Sequence, residues 1–417
     1  MSDAGRLKTT MRQFVVAIGL LTGPSVIGAG LSFLSTPLLV SWFSPRDFGE
    51  TASALAVASI LAGVVTLRLD ILIYRPVNSG IRTDITRLAF GVTLAISALL
   101  LLVLAPIYLT VTGWNVAGLS RAGLTFMMTV SLGIAAVGTA YQVSRGNYLW
   151  SSVPKVVTPI AVLAVAGCAT LLHARGVDTL LIANVIGLIA AALLFLPGPL
   201  RAARTAGVGT ATGLLDRERR YMMFAVPQSA VSSASFLNLF MLITSSCYGP
   251  AIAGQQFLAF RLVGFPSTIL GAAAGNLLSA KAIEIREHGL WPYLLGMAGV
   301  GLLIYGPLLA LLPLLPLHLV PTRWRGAVAV LPPMIVLCFV QFVFGSFGQL
   351  MLVWNRAGQF LAWDIARLVL TCVAGIIVWR AGGSYVLATW VFVVMHVITF
   401  VALGRLVTSA AASDRLS

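Results

Sequence analysis

Apolar runs of about 20 residues, the length needed to cross a bilayer, recur along the whole sequence and exclude a water-soluble fold. A helix of a soluble protein would carry a polar face within each such run. Hydrophobic residues make up 59% of the 417 residues and charged residues only 9%, against roughly 25% charged residues in soluble domains. The sequence therefore predicts an all-α polytopic membrane protein.

Polar residues and prolines divide the apolar runs into about twelve predicted transmembrane helices. The first run follows Arg6, Lys8 and Arg12, but it is too long for the apolar core of a signal peptide and is interpreted as a retained helix. The predicted spans lie near 13–40, 47–74, 87–110, 120–142, 154–173, 178–197, 221–246, 251–280, 292–318, 327–352, 360–380 and 384–405.

Basic residues lie mostly on one side of the predicted spans. If both termini are cytoplasmic, the inside segments contain 18 basic residues and the outside segments 6. This bias follows the positive-inside rule and predicts a multi-pass protein with cytoplasmic N- and C-termini. The net charge of +15 is therefore attributed mainly to membrane topology, and no nucleic-acid partner is expected.

A basic, glycine-containing stretch near the middle divides the chain into two similar parts. Residues 1–200 are predicted to form an N-terminal six-helix bundle, 201–220 a cytoplasmic linker and 221–417 a C-terminal six-helix bundle. A Pro-x-x-x-Gly turn follows the first span of each part, starting at Pro45 and at Pro250, 205 residues apart. Because each part has an even number of spans, the two repeats are expected to be parallel.

Several short segments resemble polysaccharide flippases of the Wzx type, within the superfamily that also holds multidrug extruders and lipid II flippases. These segments are Leu38–Gly49, Thr66–Asp70 and Ala253–Pro266. The resemblance implies two six-helix bundles around a central cavity that opens alternately to each side of the membrane. One departure is Asp70, because the family commonly has Glu at that position.

The resemblance also implies a function and partners. The expected activity is movement of an undecaprenyl-diphosphate-linked oligosaccharide from the cytoplasmic to the periplasmic leaflet of a bacterial inner membrane. Membrane lipids and a polysaccharide polymerase are the other partners that it implies. No enzymatic activity is expected, since every predicted outside loop is too short to house a catalytic domain.

Basic side chains at membrane depth are the candidates for substrate binding. Placing a charged side chain near the bilayer centre costs about 2.5–3.5 kcal/mol, so each residue of this kind is expected to have a structural or functional role. Arg261, Arg68, Lys155 and Arg367 are predicted to bind an anionic headgroup, and Lys155 and Arg367 occupy equivalent positions in the repeat. The alternative, a structural pairing with a neighbouring helix, remains open for each of them.

Two acidic residues at depth are candidates for ion coupling. Asp364 and Arg367 are three residues apart and are expected to pair along one helix face. Asp70 lies two residues after Arg68, which on a continuous helix would place the two on different faces. For both acids a structural role is the favoured interpretation and proton coupling is the alternative.

Other functions require features that the sequence lacks. A multidrug extruder of the same superfamily, which handles cations, would be expected to carry acidic rather than basic groups at depth. A membrane-embedded polysaccharide polymerase or ligase would need a sizeable outside loop or an acidic metal-binding motif. The four cysteines and four histidines show no metal-ligand spacing, so neither a metal nor a cofactor is expected.

Overall fold

The computed structural model describes residues 26–28, 30–73, 79–112, 116–197, 223–267, 290–314, 320–354 and 356–413, with isolated positions between 271 and 285. Regular structure within these ranges is helical throughout, as the apolar runs predict. Among the same residues, 9 helices are long and apolar enough to cross a membrane, which is consistent with about twelve for the whole chain. The predicted linker 201–220 lies outside the described residues.

The described residues form helices that are numbered here in chain order. They are α1 (Val26–Trp42), α2 (Pro45–Val65), α3 (Leu69–Ile73), α4 (Ser79–Thr112), α5 (Val116–Ser144), α6 (Tyr148–Leu171), α7 (Val177–Phe195), α8 (223–233), α9 (Leu239–Tyr248), α10 (Pro250–Val263), α11 (Trp291–Ala310), α12 (Arg325–Gly345), α13 (Gly348–Val353), α14 (Ala357–Arg380) and α15 (Tyr385–Ser413). A π-helical turn, Ala234–Asn238, joins α8 to α9.

The described residues form two compact units. The first contains those up to Ser35 and those of Leu61–Ala174 and Asp178–Val226, and the second contains Thr36–Ile60, Arg175–Val177 and those from Pro227 onward. Part of α2 thus belongs to the second unit, although it comes from the first half of the sequence. The predicted bundle boundaries at 200 and 221 stay a prediction.

The core of the first unit forms where α3, α4 and α5 meet. Leu72, Phe90 and Val137 are buried there. The end of α7 packs closely against this core, since an added Cβ at Gly138 would overlap the side chain of Phe195. Small residues at helix contacts are typical of membrane proteins, where close van der Waals packing drives association.

The core of the second unit is centred on α12. Val330, Met334 and Cys338 on this helix are fully buried and pack against α10, α11 and α15. A second cluster lies between α13, α14 and α15 and includes Trp363 and Phe400. The apolar side chains of α12 are therefore covered by protein on most sides.

Local side-chain bonds determine where α2 begins. The Ser44 amide and hydroxyl donate to Asp47 Oδ2 at 2.8 and 2.7 Å, and the Asp47 amide donates back to Ser44 Oγ at 3.3 Å. This reciprocal arrangement is a capping box, and Pro45 occupies the first helical position, where no amide hydrogen is needed. The Ser-Pro-x-Asp sequence is thus a helix start.

The predicted continuous span 47–74 is wrong at its cytoplasmic end, because α2 ends at Val65 and a new short helix starts at Leu69. Leu67 and Arg68 between them have φ values of 45° and 56°. Left-handed conformations cost non-glycine residues roughly 1–2 kcal/mol each, and nothing in these residue types indicates one. The turn is held by the Leu67 amide bonding Val64 O and the Leu69 amide bonding Thr66 O, both at 3.0 Å.

Candidate functional site

An ion pair lies in the interior of the second unit. Asp364 and Arg367 on α14 are 0% and 3% exposed, and Arg367 Nη2 donates to Asp364 Oδ1 at 2.7 Å. Their spacing of three residues places them on one helix face, as the sequence predicts. Because buried ions are costly unless paired and hydrogen-bonded, the rest of their surroundings determines what the pair can do.

Polar groups from α8 and the π turn complete this pair. Gln228 Nε2 donates to Asp364 Oδ2 at 3.0 Å. Arg367 Nη2 also donates to Ser235 Oγ, whereas Arg367 Nε has no hydrogen-bond partner. The guanidinium therefore bridges α14 to the π turn, and its Nε–H is buried without an acceptor.

Aromatic rings enclose the guanidinium of Arg367. Its Cζ lies 4.5 Å from the centre of the Trp363 ring and 5.3 Å from that of Phe400. Trp363 is itself held in place by its Nε1, which donates to Thr399 O at 2.7 Å. Such cation–π contacts are strongest where water is excluded, as it is around these buried side chains.

His396 on α15 completes what we call the interior polar cluster: Gln228, Ser235, Asp364, Arg367 and His396. Its side chain is fully buried. Nδ1 lies 3.1 Å from Phe392 O, and Nε2 lies 3.1 Å from Ser235 O. The spacing of the four histidines predicts no role for His396, although an ionisable residue inside an apolar run of 26 residues is itself a functional signal.

The π turn explains how Ser235 serves two partners. Within it, the Leu239 amide bonds Ala234 O, five residues back, which is the π-helical spacing. This widened turn lets the Ser235 hydroxyl meet Arg367 while its carbonyl oxygen meets His396. Single π turns within α-helices occur frequently at functional sites.

Arg68 and Asp70 belong to the first unit, and the break after α2 changes their relationship. On a continuous helix they would face apart, but here Arg68 is in the left-handed turn and Asp70 in the first turn of α3. The two interact electrostatically, and Thr66 bonds the Asp70 carboxylate. Asp70 thus has the local role of an acid at a helix N-terminus, and its role in coupling stays a prediction.

The other two predicted basic residues lie on helices of different units. Lys155, on α6 of the first unit, has an exposed side chain, and its backbone carbonyl packs against Gly28 of α1. Arg261 lies half-buried in the last turn of α10 in the second unit. That the four basic residues line one passage therefore remains a prediction. Arg367 is bonded to Asp364 and Ser235 inside the second unit.

The two Pro-x-x-x-Gly turns occupy equivalent positions in the predicted repeat. In the structure they are in contact with each other, within the second unit. A Cβ added to Gly49 would overlap the carbonyl oxygen of Pro250, and a Cβ added to Gly254 would overlap that of Pro45. We call this reciprocal contact of α2 and α10 the glycine crossing. Its symmetry fits two equivalent helix starts of a repeated fold.

Side chains at the start of α12 lie beside the glycine crossing. Arg323 Nη2 donates to Val40 O and Ser41 O, both at 2.9 Å, so it binds carbonyl groups at the C-terminal end of α1. The Trp324 ring packs edge-on against Phe48 of α2, with ring centres 5.1 Å apart. These contacts join segments from both halves of the sequence.

Comparison with known proteins shows a shared fold rather than a close relative. No family model matches the sequence, and no curated protein matches it. Solved structures match over nearly the full length at low identity. A MATE multidrug transporter, DinF-BH in complex with R6G, has a TM-score of 0.68 at 16% identity, with 94% of each chain covered.

Two further matches are multidrug resistance MATE family transporters of the MOP superfamily. One is in an outward-facing conformation, with a TM-score of 0.64, 13% identity, and coverage of 95% of this chain and 96% of that one. The other is inward-facing, with a TM-score of 0.61, 13% identity and 95% of both chains covered. The chain therefore has the polytopic helical fold seen in MATE transporters.

Proposed function

We propose that this protein is a membrane transporter that works by alternating access and not an enzyme. The observation that carries the proposal is the likeness to MATE transporters over 94% or more of both chains. That fold is known in outward-facing and inward-facing conformations.

The solved structures support export of small amphipathic molecules as one candidate for the cargo, because the matched transporters are named as multidrug transporters. A hydrophobic organic cation such as R6G is the probe that this candidate suggests. To bind such a cation, the protein needs an acidic or aromatic surface that the cation can reach.

Charge supports the second candidate, which is the flipping of an undecaprenyl-diphosphate-linked oligosaccharide. Asp364, an acid well inside an apolar helix, is already paired with Arg367 and has no accessible surface. Of the other predicted charges at membrane depth, Lys155 is exposed and Arg261, Arg68 and Asp70 are half-buried, so three of these four are basic. This distribution favours an anionic cargo over a cationic one. A bacterial inner membrane and a partner polymerase belong to this candidate.

Transport assays in proteoliposomes separate the two cargoes. The purified protein is reconstituted with a fluorescent undecaprenyl-diphosphate-linked oligosaccharide, and the label exposed on the outer leaflet is quenched over time; parallel vesicles are loaded with R6G and its release is followed. We expect protein-dependent flipping of the anionic lipid, with Arg261→Ala slower by about tenfold, the effect of losing one charged hydrogen bond, and Arg261→Lys intermediate. Release of R6G without lipid flipping would establish drug export instead, and movement of neither probe would refute the proposal for both cargoes.

A further inference from the structure

Two carbonyl oxygens at the end of α1 are left without the amide donors that a continuous helix would provide. In such a helix Val40 O would accept from the Ser44 amide, and Ser41 O would accept from the amide of residue 45. The Ser44 amide donates to Asp47 Oδ2 instead, and residue 45 is a proline, which has no amide hydrogen. The capping box that starts α2 therefore leaves both oxygens available to a donor from another part of the chain.

That donor comes from the start of α12. Arg323 Nη2 donates to Val40 O and Ser41 O, both at 2.9 Å, and Trp324 Nε1 donates to Val40 O at 3.2 Å. A cation that bonds free carbonyl oxygens at a helix C-terminus also interacts favourably with the helix dipole. Both Arg323 bonds lie at an exposed surface, so water can take their place when the two segments part.

The second unit positions Arg323 through bonds that involve neither α1 nor α2. Gln255 Nε2 of α10 donates to Arg323 O at 3.2 Å, and the Trp324 amide donates to Pro321 O at 2.8 Å. The packing beside them is close, since an added Cβ at Gly326 would overlap Gln255 Oε1. The guanidinium is therefore held ready for the end of α1 by α10 and α12 alone.

The segment that Arg323 binds is attached to the second unit by non-covalent contacts. Thr36–Ile60, which we call the docked hairpin, belongs to the second unit, whereas the residues before and after it along the chain belong to the first. Besides the glycine crossing, its contacts include Phe48, whose ring centre lies 5.1 Å from that of Trp324 and 6.4 Å from that of Phe257. Because the crossing brings backbone against backbone, α2 and α10 can separate there without a change of rotamer.

We propose that Arg323 is a latch that holds the docked hairpin against α10 and α12 in one state of the transport cycle and releases it in another. The inference rests on the proposed transporter function and adds a residue that controls one of its conformations. On release, water replaces Arg323 at the two carbonyl oxygens, and the rings of Phe48 and Trp324 part. Because the latch exchanges its bonds with water, it shifts the equilibrium between the two states without making either one permanent.

The first experiment detects release of the docked hairpin without any cargo. The four native cysteines are replaced by alanine, and Thr51→Cys, at a buried position of α2, introduces a reporter thiol. A water-soluble thiol reagent is expected to reach this thiol only when the docked hairpin leaves α10 and α12. Thr371→Cys, at a buried position of α14, is the matched reporter for unfolding of the second unit.

The labelling rates distinguish a latch from a merely structural arginine. Arg323→Ala is expected to raise the labelling rate of the Thr51→Cys reporter by about tenfold, the effect of losing a charged hydrogen bond, and Arg323→Lys is expected to be intermediate. Arg325→Ala is the matched control, because this exposed arginine bonds no described residue of α1. Equal labelling with and without Arg323, or an equal rise at the Thr371→Cys reporter, would overturn the proposal.

The second experiment tests whether transport needs the release. Ser41→Cys and Thr322→Cys, at exposed positions beside the latch, are joined by a short reducible cross-linker in proteoliposomes that contain the fluorescent lipid-linked oligosaccharide or R6G. Cross-linking is expected to stop transport and a reductant to restore it, while each single variant keeps its untreated rate. An unchanged rate in the cross-linked protein would overturn the latch. Movement of neither probe before cross-linking would refute the transporter function itself, whatever the labelling rates are.

Discussion

Gly49 and Gly254 occupy equivalent positions on α2 and α10, and each lies against the carbonyl oxygen of the proline that starts the other's helix. The contact leaves no room for a Cβ on either side. Such close backbone approach gives weak Cα–H···O bonds in addition to van der Waals contact. A single methyl group added to either glycine therefore disturbs the crossing directly.

Gly49→Ala and Gly254→Ala are each expected to destabilise the structure by about 1–3 kcal/mol, because an added methyl group must push two backbones apart. Thermal unfolding of the detergent-solubilised protein, followed by tryptophan fluorescence, measures the loss. Gly299→Ala in α11 is the matched control, since a Cβ there meets nothing within 4 Å. If both crossing variants unfold at the same temperature as the control, the reciprocal contact is refuted.

Removing one partner of the buried ion pair is expected to destabilise the protein strongly. Asp364→Asn leaves Arg367 uncompensated, and Arg367→Gln leaves Asp364 uncompensated, each costing about 3–5 kcal/mol. The double variant, which leaves no buried charge, is expected to lose less than either single one. A double-mutant cycle of folded fractions in denaturant gives the coupling, and additive losses would contradict the pairing.

The left-handed turn after α2 separates two properties of Arg68, its conformation and its charge. Asparagine tolerates a φ of 56°, so Arg68→Asn is expected to keep the stability of the wild type while removing the charge. Valine does not, and Arg68→Val is expected to cost about 1–3 kcal/mol. Thermal unfolding of the two variants checks the turn, and equal melting temperatures would argue against it.

The same variant tests Arg68 as a ligand for an anion. If the Arg68 guanidinium binds the headgroup, Arg68→Asn is expected to slow flipping of the lipid-linked oligosaccharide although the protein stays folded. Loss of one charge-assisted hydrogen bond corresponds to about tenfold or more in rate. Flipping at the wild-type rate by this folded variant would remove Arg68 from the binding site.

Patterns that depend on neighbours in sequence could be predicted, because helix geometry alone determines them. Apolar runs of bilayer length indicate the helices, and the three-residue spacing of Asp364 and Arg367 indicates their ion pair. The Pro-x-x-x-Gly turns indicate two equivalent helix starts. Each of these needs only the period of an α-helix or the steric properties of proline and glycine.

Features set by distant contacts could not be predicted. His396 Nε2 contacts the carbonyl oxygen of Ser235, which is 161 residues away in the sequence, and no local sequence pattern predicts that partner. The turn at Leu67 and Arg68 adopts a conformation that neither residue type prefers, so it must be imposed by the packing of α3 against α4 and α5. The depth of Arg68 in the membrane cannot be estimated by counting residues along one continuous helix, because the helix is interrupted at this turn.

The π turn gives the segment from α8 to α9 one residue more than an uninterrupted α-helix would need for the same rise. Each residue advances an α-helix by roughly 100°. If the extra residue migrates along the segment, the side chains that it passes rotate to new directions although the two ends of the segment stay where they are. A local change of helix register can thus move Ser235 away from the Arg367 side chain and bring a neighbouring residue to it, without any movement of the whole helix.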